Sequence, residues 1–435
     1  MNRYPCFLDN YYVFLYGDCL TATNAWSGVE YTFNKTESLI LKELTGNKTT
    51  AQIVASLAEQ FNLDVEVLKD LVFKVILNNK KNGILEIREI PSSPKKMYGE
   101  FGKYYPKFIN IELTNRCNFQ CTHCYKEATK CGKDLPYEAI EYICKEFKGK
   151  VPDIQLSGGE PFLNRNIEKY IDDLSSNFNL SVVTNGSLIK YISPQTLSKI
   201  NEIQISLYGT TEFEYENFTK NRTGYRNLVE GAQHLKNNDI QFCVAFTLNK
   251  SSIYKIQNFV EFAIQLGAKQ IRFGIPSIVG RAIASSDNFV FNKEELQSVH
   301  RQIRRAQKMY RDKILIELWR EHESFETSTE HCSERLTCGA GSKNIVVSEN
   351  GNVRPCEFLP ETYFNMGSIC DFEKYIVNNK FETMDKNAFE YYKYLKERCV
   401  DAAYICAPLK RYLNFFANYE ERSNGMQNDI KKNHI

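Results

Sequence analysis

The chain has 435 residues, with 55 lysine and arginine side chains against 53 aspartate and glutamate, for a net charge of +2. This near-balance, with 43% hydrophobic residues, describes a globular protein of two or three domains without a broad polyanion-binding surface. No apolar run approaches a membrane span and the first residues lack a signal-peptide core, so the expectation is a cytoplasmic protein without nucleic acid or bilayer as partner. Fourteen cysteines in a large chain with no export signal favour metal ligation over disulfides.

Residues 1–87 read as a small domain. Tyr11–Tyr16, Cys19–Thr23 and Val29–Phe33 are short β-rich runs separated by turn signals. Helices follow over Glu37–Leu44, Thr49–Phe61 (capped by Thr49 or Thr50) and Val65–Asn79 (capped by Asp64), and Ile84–Ile87 closes the unit as a strand. This order is winged-helix-like. A DNA reader is one function for such a fold, but Asp64, Glu66 and Asp70 at the head of the third helix repel phosphate. The domain instead resembles the RiPP recognition element, which binds the leader of a ribosomally made precursor peptide. That resemblance implies a leader added as a strand beside Val29–Phe33, with the helix from Asp64 as the other wall. Residues 88–104, with two prolines and a lysine pair, read as a linker.

From 105 to 315 strands and helices alternate, the pattern of βα units around a parallel sheet. The strands are Phe108–Leu113, Ile154–Ser157, Leu180–Thr184, Ile203–Tyr208, Phe242–Leu248 and Ile271–Ile275. Cys117, Cys121 and Cys124 stand on the loop after the first, at C-x3-C-x2-C spacing. Three thiols leave a 4Fe-4S cube one open iron, whereas a closed structural site takes four ligands. A zinc loop with His123 as fourth ligand is the alternative, although zinc ligands usually come as separated pairs.

The spacing resembles the signature of the radical S-adenosylmethionine (SAM) enzymes, α/β proteins with a partial (β/α)6 TIM-type barrel. The resemblance implies that SAM binds the open iron and is cleaved to a 5′-deoxyadenosyl radical. Ser157-Gly158-Gly159-Glu160-Pro161 after the second strand resembles the family's GGEP motif, which binds the SAM amino group. Asn185, Ser206 and Arg281 follow strands three, four and six where the family contacts the cofactor, and His123 takes the place of an aromatic residue against adenine. Ordinary turn and surface roles are the alternatives for Asn185, Ser206 and Arg281.

A charged helix over Lys293–Lys308 and a short strand, Ile314–Leu318, precede a second cysteine region, residues 316–418. Asn344–Val347 turns at Asn350-Gly351 into Val353–Cys356 as a hairpin. Cys338, Gly351 and Cys356 resemble the opening of the SPASM/Twitch extension, which implies an auxiliary iron-sulfur cluster, 4Fe-4S or 2Fe-2S. Cys338, Cys356, Cys399 and Cys406 are its expected ligands, with Cys332 or Cys370 as replacements and zinc as the other occupant. The full SPASM ending is missing, so one cluster is expected. Residues 419–435 form a polar tail.

Together the resemblances imply a radical SAM maturase that binds a precursor peptide and draws electrons from a donor such as flavodoxin or ferredoxin. Thioether formation is the preferred reaction; carbon-carbon crosslinking and epimerisation are the competitors. An iron-sulfur redox sensor that binds DNA is the non-enzyme rival, against which the GGEP loop counts.

Overall fold

The computed structural model describes residues 2–319, 340–341, 343–372 and 391. Cys332, Cys338, Cys399, Cys406 and the polar tail lie outside the described residues. The chain divides into two compact units, one of residues up to Lys107 with Phe147–Pro152, the other of Phe108–Glu146 with Asp153–Phe372. No helix among the described residues is long and apolar enough to cross a membrane.

The first unit holds β1 (Tyr4–Phe7), β2 (Tyr11–Tyr16), β3 (Cys19–Asn24), β4 (Glu30–Phe33), α1 (Lys35–Leu41), α2 (Thr50–Phe61), α3 (Val65–Lys81), β5 (Leu85–Arg88) and β6 (Met97–Gly99). Caps set the helix starts: Thr49 accepts the N–H of Gln52, and Asp64 accepts those of Glu66 and Val67. Along α3, Leu68, Val72, Val75 and Ile76 recur at helical spacing and join Leu20, Leu41 and Ile53 in one core. Strand β1 was not foreseen; it pairs antiparallel with β5.

The linker expected over 88–104 is corrected. Met97–Gly99 pairs in parallel with β2, giving the sheet order β4-β3-β2-β6, and Gly17 donates its N–H to Lys103 at 2.8 Å. The prolines end before residue 97, so the edge strand needs no donor from them.

The second unit contains β7 (Phe108–Glu112), α4 (Tyr137–Glu146), β8 (Asp153–Ser157), α5 (Ile167–Ser175), β9 (Asn179–Thr184), α6 (Pro194–Leu197), β10 (Glu202–Leu207), α7 (Glu212–Thr219), α8 (Gly224–Asn237), β11 (Phe242–Thr247), α9 (Ile256–Leu266), β12 (Gln270–Gly274), α10 (Lys293–Met309), β13 (Leu315–Trp319), β14 (Asn344–Val347), β15 (Asn352–Arg354) and β16 (Gly367–Ser368). Strands β7 to β13 lie side by side in chain order, each parallel to the next. Ile109, Ile111, Ile154, Leu156, Val182, Ile205, Val244 and Ile271 are fully buried, as strands covered on both faces require.

All six expected barrel strands are present, and β13 adds a seventh parallel neighbour. The described part of the C-terminal region begins on the same sheet. Strand β14 pairs in parallel with β7, with Ile345 opposite Ile109, so β14 to β16 continue the barrel's own sheet.

Candidate active site

The sheet places one loop after another at the C-terminal ends of its strands, the end where α/β barrels carry chemistry. Cys117, Cys121 and Cys124 all lie on the loop after β7. Cys117 and Cys121 are buried, Cys124 half-buried. Burial pushes the Cys117 thiol up to about 12, with the Glu160 carboxylate adding to the shift, and pushes Cys121 well above the ordinary range. Buried thiols of this kind give up their protons to a metal centre that supplies compensating positive charge.

Among the described residues, no three His, Cys, Asp or Glu side chains are grouped to hold a single metal ion. A cube differs from a single ion in offering each thiolate its own iron, and three thiols on one shielded loop suit it chemically. His123 stands among aromatic side chains. Its ring packs on Phe218 at 4.9 Å and Tyr208 at 5.7 Å, and its buried Nδ1 has no partner. Burial, with Arg281 nearby, lowers its pKa to about 4, so the ring is neutral. Tyr208, Phe218 and Phe289 from the same aromatic group also wall a cavity of about 600 Å³ beyond β10 and β11.

The cysteine loop is clasped from several sides. Gln120 and Thr122 donate their backbone N–H groups to the carbonyls of Thr219 and Phe218, the end of α7, at 2.8 and 3.2 Å. Asn221 donates to the Asn118 carbonyl at 3.0 Å. Arg281 donates to the carbonyls of Cys121 and Ala128, each at 2.9 Å, and its own N–H reaches the Cys124 carbonyl at 3.1 Å. Two nitrogens of its guanidinium, Nε and Nη1, are thus bonded to the cysteine loop. Gly280, at φ +55°, lies so close that a Cβ would stand 2.5 Å from the carbonyls of Cys124 and Tyr125.

The GGEP loop after β8 packs on the same segment. Gly159 and Glu160 donate their N–H groups to the carbonyls of Thr114 and Arg116 at 2.7 and 2.8 Å. A Cβ on Gly159 would fall 2.1 Å from the Arg116 carbonyl, and one on Gly158 2.4 Å from that of Thr114. The close approach these glycines permit is to the cysteine loop.

Glu160 is wholly buried, and its carboxylate accepts from the Thr184 hydroxyl at 2.7 Å and from the N–H groups of Asn185 and Phe162 at 2.8 and 3.2 Å. Desolvation pushes its pKa up to about 7, against the pull of those three donors. Asn185 donates to Asn118 at 2.8 Å, lies 3.9 Å from the Cys117 sulfur, and accepts from Ser187. Ser206 is half-buried at the end of β10. The structure thus brings Glu160 and Asn185 beside the cysteine loop: the Asn185 amide bonds to Asn118 of that loop, while the Glu160 carboxylate is held by Thr184, Asn185 and Phe162. Thr184, Asn118, Ser187 and Asn221 belong to the same arrangement and were missed, because single polar residues in turns carry no signal of long-range pairing.

In the second cysteine region, Cys356 is half-buried just beyond β15 and Cys370 is exposed. A cavity of about 770 Å³ is lined by Tyr125, Lys126 and Glu127, which follow Cys124, and by Glu357 and Phe358, which follow Cys356.

In the first unit, β4 is an edge strand, held by Lys107, which meets Glu30 at 2.5 Å and Thr21 at 2.9 Å. On α3, Val67 is 69% and Leu77 56% exposed, and Val65 and Leu71 also face solvent. Among the described residues, β4 thus has an unpaired edge, and α3 exposes apolar side chains interspersed with Asp70, Lys74 and Asn78.

Residues 111–260 match the family model described as the Radical SAM superfamily. The chain is 24% identical to the antilisterial bacteriocin subtilosin biosynthesis protein AlbA of Bacillus subtilis strain 168, over 77% of this chain and 74% of that protein. It is 28% identical to the sporulation killing factor maturation protein SkfB of the same strain, over 64% of this chain and 67% of that one. Its fold is similar to that of Streptococcus suis SuiB, solved bound to its precursor peptide SuiA, with TM-score 0.59 and 15% identity over 85% of this chain and 88% of that one.

Proposed function

We propose, from the match of residues 111–260 to the Radical SAM superfamily model, that the chain is a maturase of a ribosomally made precursor peptide, forming a thioether between a substrate cysteine and a carbon of another residue. The observation that carries this reading is the cysteine loop at the end of β7, clasped by the GGEP loop at the end of β8. Two relatives named for bacteriocin biosynthesis and killing-factor maturation support the peptide substrate.

Cys117, Cys121 and Cys124 would hold a 4Fe-4S cluster. When bound and reduced, that cluster supplies the electron that cleaves SAM to methionine and a 5′-deoxyadenosyl radical. Gly158, Gly159 and Glu160 shape the loop against which the SAM amino group lies, and His123 offers a neutral ring beside the aromatic wall. Asn185 and Arg281 hold the cysteine loop, and Ser206, near the end of β10, would contact the cofactor. The leader peptide adds to β4 against α3. Cys338, Cys356, Cys399 and Cys406 are the proposed ligands of one auxiliary iron-sulfur cluster. In thioether closure the substrate carbon gives one hydrogen atom to the 5′-deoxyadenosyl radical and the thiol gives a proton to solvent. An auxiliary cluster held by those cysteines would supply an acceptor for the surplus electron. A flavodoxin or ferredoxin in the cytoplasm would supply the reducing electron.

Mass spectrometry of the precursor after anaerobic turnover tests the reading. A two-dalton loss with a thiol that resists alkylation is expected. The same loss with a freely alkylated thiol would make the bond carbon-carbon, and unchanged mass with deuterium uptake would make the reaction epimerisation.

A further inference from the structure

A buried set of charges joins the cysteine loop to the hairpin that leads to Cys356. Glu112, the last residue of β7, is fully buried. Its carboxylate accepts from Lys126 Nζ and from the Arg354 guanidinium, each at 2.5 Å, and from the Tyr125 hydroxyl at 3.1 Å. Lys126 also meets Glu349 at 2.5 Å. Tyr125 and Lys126 directly follow Cys124, Glu349 stands in the turn between β14 and β15, and Arg354 ends β15 two residues before Cys356. Arg354 donates as well to the carbonyls of Glu357 and Leu359, at 3.2 and 3.1 Å, which folds the loop carrying Cys356 around its guanidinium.

Stability does not explain this cluster. Well-packed apolar side chains in place of a buried ion set are often neutral or stabilising, whereas charge-assisted bonds accept one geometry and reject its neighbours. Glu127, which continues the cysteine segment into the adjoining cavity, adopts a left-handed φ of +54°, a conformation a non-glycine residue keeps only where its surroundings impose it. The residues after Cys124 and the residues after Cys356 thus face one space of about 770 Å³ and are tied together by ions at its wall.

We propose that Glu112, Lys126 and Arg354 are positioning residues that fix the spacing of the Cys124 and Cys356 loops across this cavity, so that a substrate segment lying in it is held between the two. The inference rests on the peptide-maturase reading. Loosening the tie would let a substrate segment lying between the two loops shift after the radical forms, so that fewer radicals lead to product.

The test uses the full chain as wild type, Lys126→Met, Lys126→Arg and Glu349→Gln. The first readout is the ratio of 5′-deoxyadenosine released to peptide modified. Lys126→Met should raise that ratio about tenfold, and Lys126→Arg should restore most of it. A general loss of stability would lower both products together and leave the ratio alone. The second readout is amide hydrogen exchange of residues 346–356 in the unloaded chain, which should quicken in Lys126→Met. Should Lys126→Met fail to fold, Glu349→Gln, at the edge of the cluster, should show a smaller rise in both. An active wild type with an unchanged ratio in the variant that folds, or unchanged exchange in that variant, overturns the proposal. A wild type that forms no 5′-deoxyadenosine sinks the maturase reading instead, while the exchange measurement still decides the positioning role.

Discussion

The Glu160 carboxylate, at the end of the second barrel strand, accepts the backbone N–H of Asn185 at 2.8 Å, at the end of the third. Two loops that share a side in the barrel are thereby joined through one buried side chain, and Asn185 passes the contact on to Asn118 of the cysteine loop. The pKa of Glu160 in the folded chain is pushed up to about 7, above its ordinary 4.5. The folded state therefore holds a proton that the unfolded state has lost between those values, and the slope of stability against pH from this group is negative there. Its contribution is full below pH 4.5 and lost as pH rises toward 7. The unfolding midpoint of the unloaded wild type, measured relative to Glu160→Gln, should fall over that window. A constant difference would mean that Glu160 does not titrate there.

Gly159→Ala should destabilise the chain by about 1–3 kcal/mol, because its Cβ meets backbone that cannot swing away. Gly149→Ala is the comparison: at φ +74° with nothing near its Cβ, it should cost about 1–2 kcal/mol from the left-handed backbone alone. Denaturant unfolding of the two variants measures the difference, and only Gly159→Ala should also impair iron loading.

Arg281→Ala removes donors from the carbonyls of Cys121 and Ala128. Charged hydrogen bonds of this kind are worth about 1.5–3 kcal/mol, so the cysteine loop should exchange its amides faster and retain less iron after desalting. Arg281→Lys should recover little, since one ammonium does not span both carbonyls.

Val67→Asp places a charge on the exposed apolar face of α3, where the leader is proposed to dock. Its affinity for a labelled precursor should fall about tenfold or more, by fluorescence anisotropy. Unaltered affinity would move the leader site elsewhere.

The parts of this molecule that sequence reveals are those whose partners are near in the chain. Cys117, Cys121 and Cys124 stand within one loop, Gly158 to Pro161 follow a strand directly, and alternating apolar runs mark β7 to β12. Long-range pairing leaves no such mark. The segment Met97–Gly99 looks like a tether because its proline and lysine neighbours are local, while its partner β2 lies far upstream. Strand β14 joins β7 across more than half the chain, and nothing in Asn344–Val347 distinguishes that pairing from a free hairpin. The same holds for Arg354 and Glu112, 242 residues apart. Arg281 stands out in the sequence as a residue near the cofactor loops, but its bonds to the cysteine loop's carbonyls are visible only in the fold.

The central claim is that the loop of Cys117, Cys121 and Cys124 generates a radical from SAM. After anaerobic reconstitution with iron and sulfide, followed by SAM and dithionite, wild type should release 5′-deoxyadenosine and Cys124→Ala should release none. Equal release from both, or none from a fully loaded wild type, would contradict it.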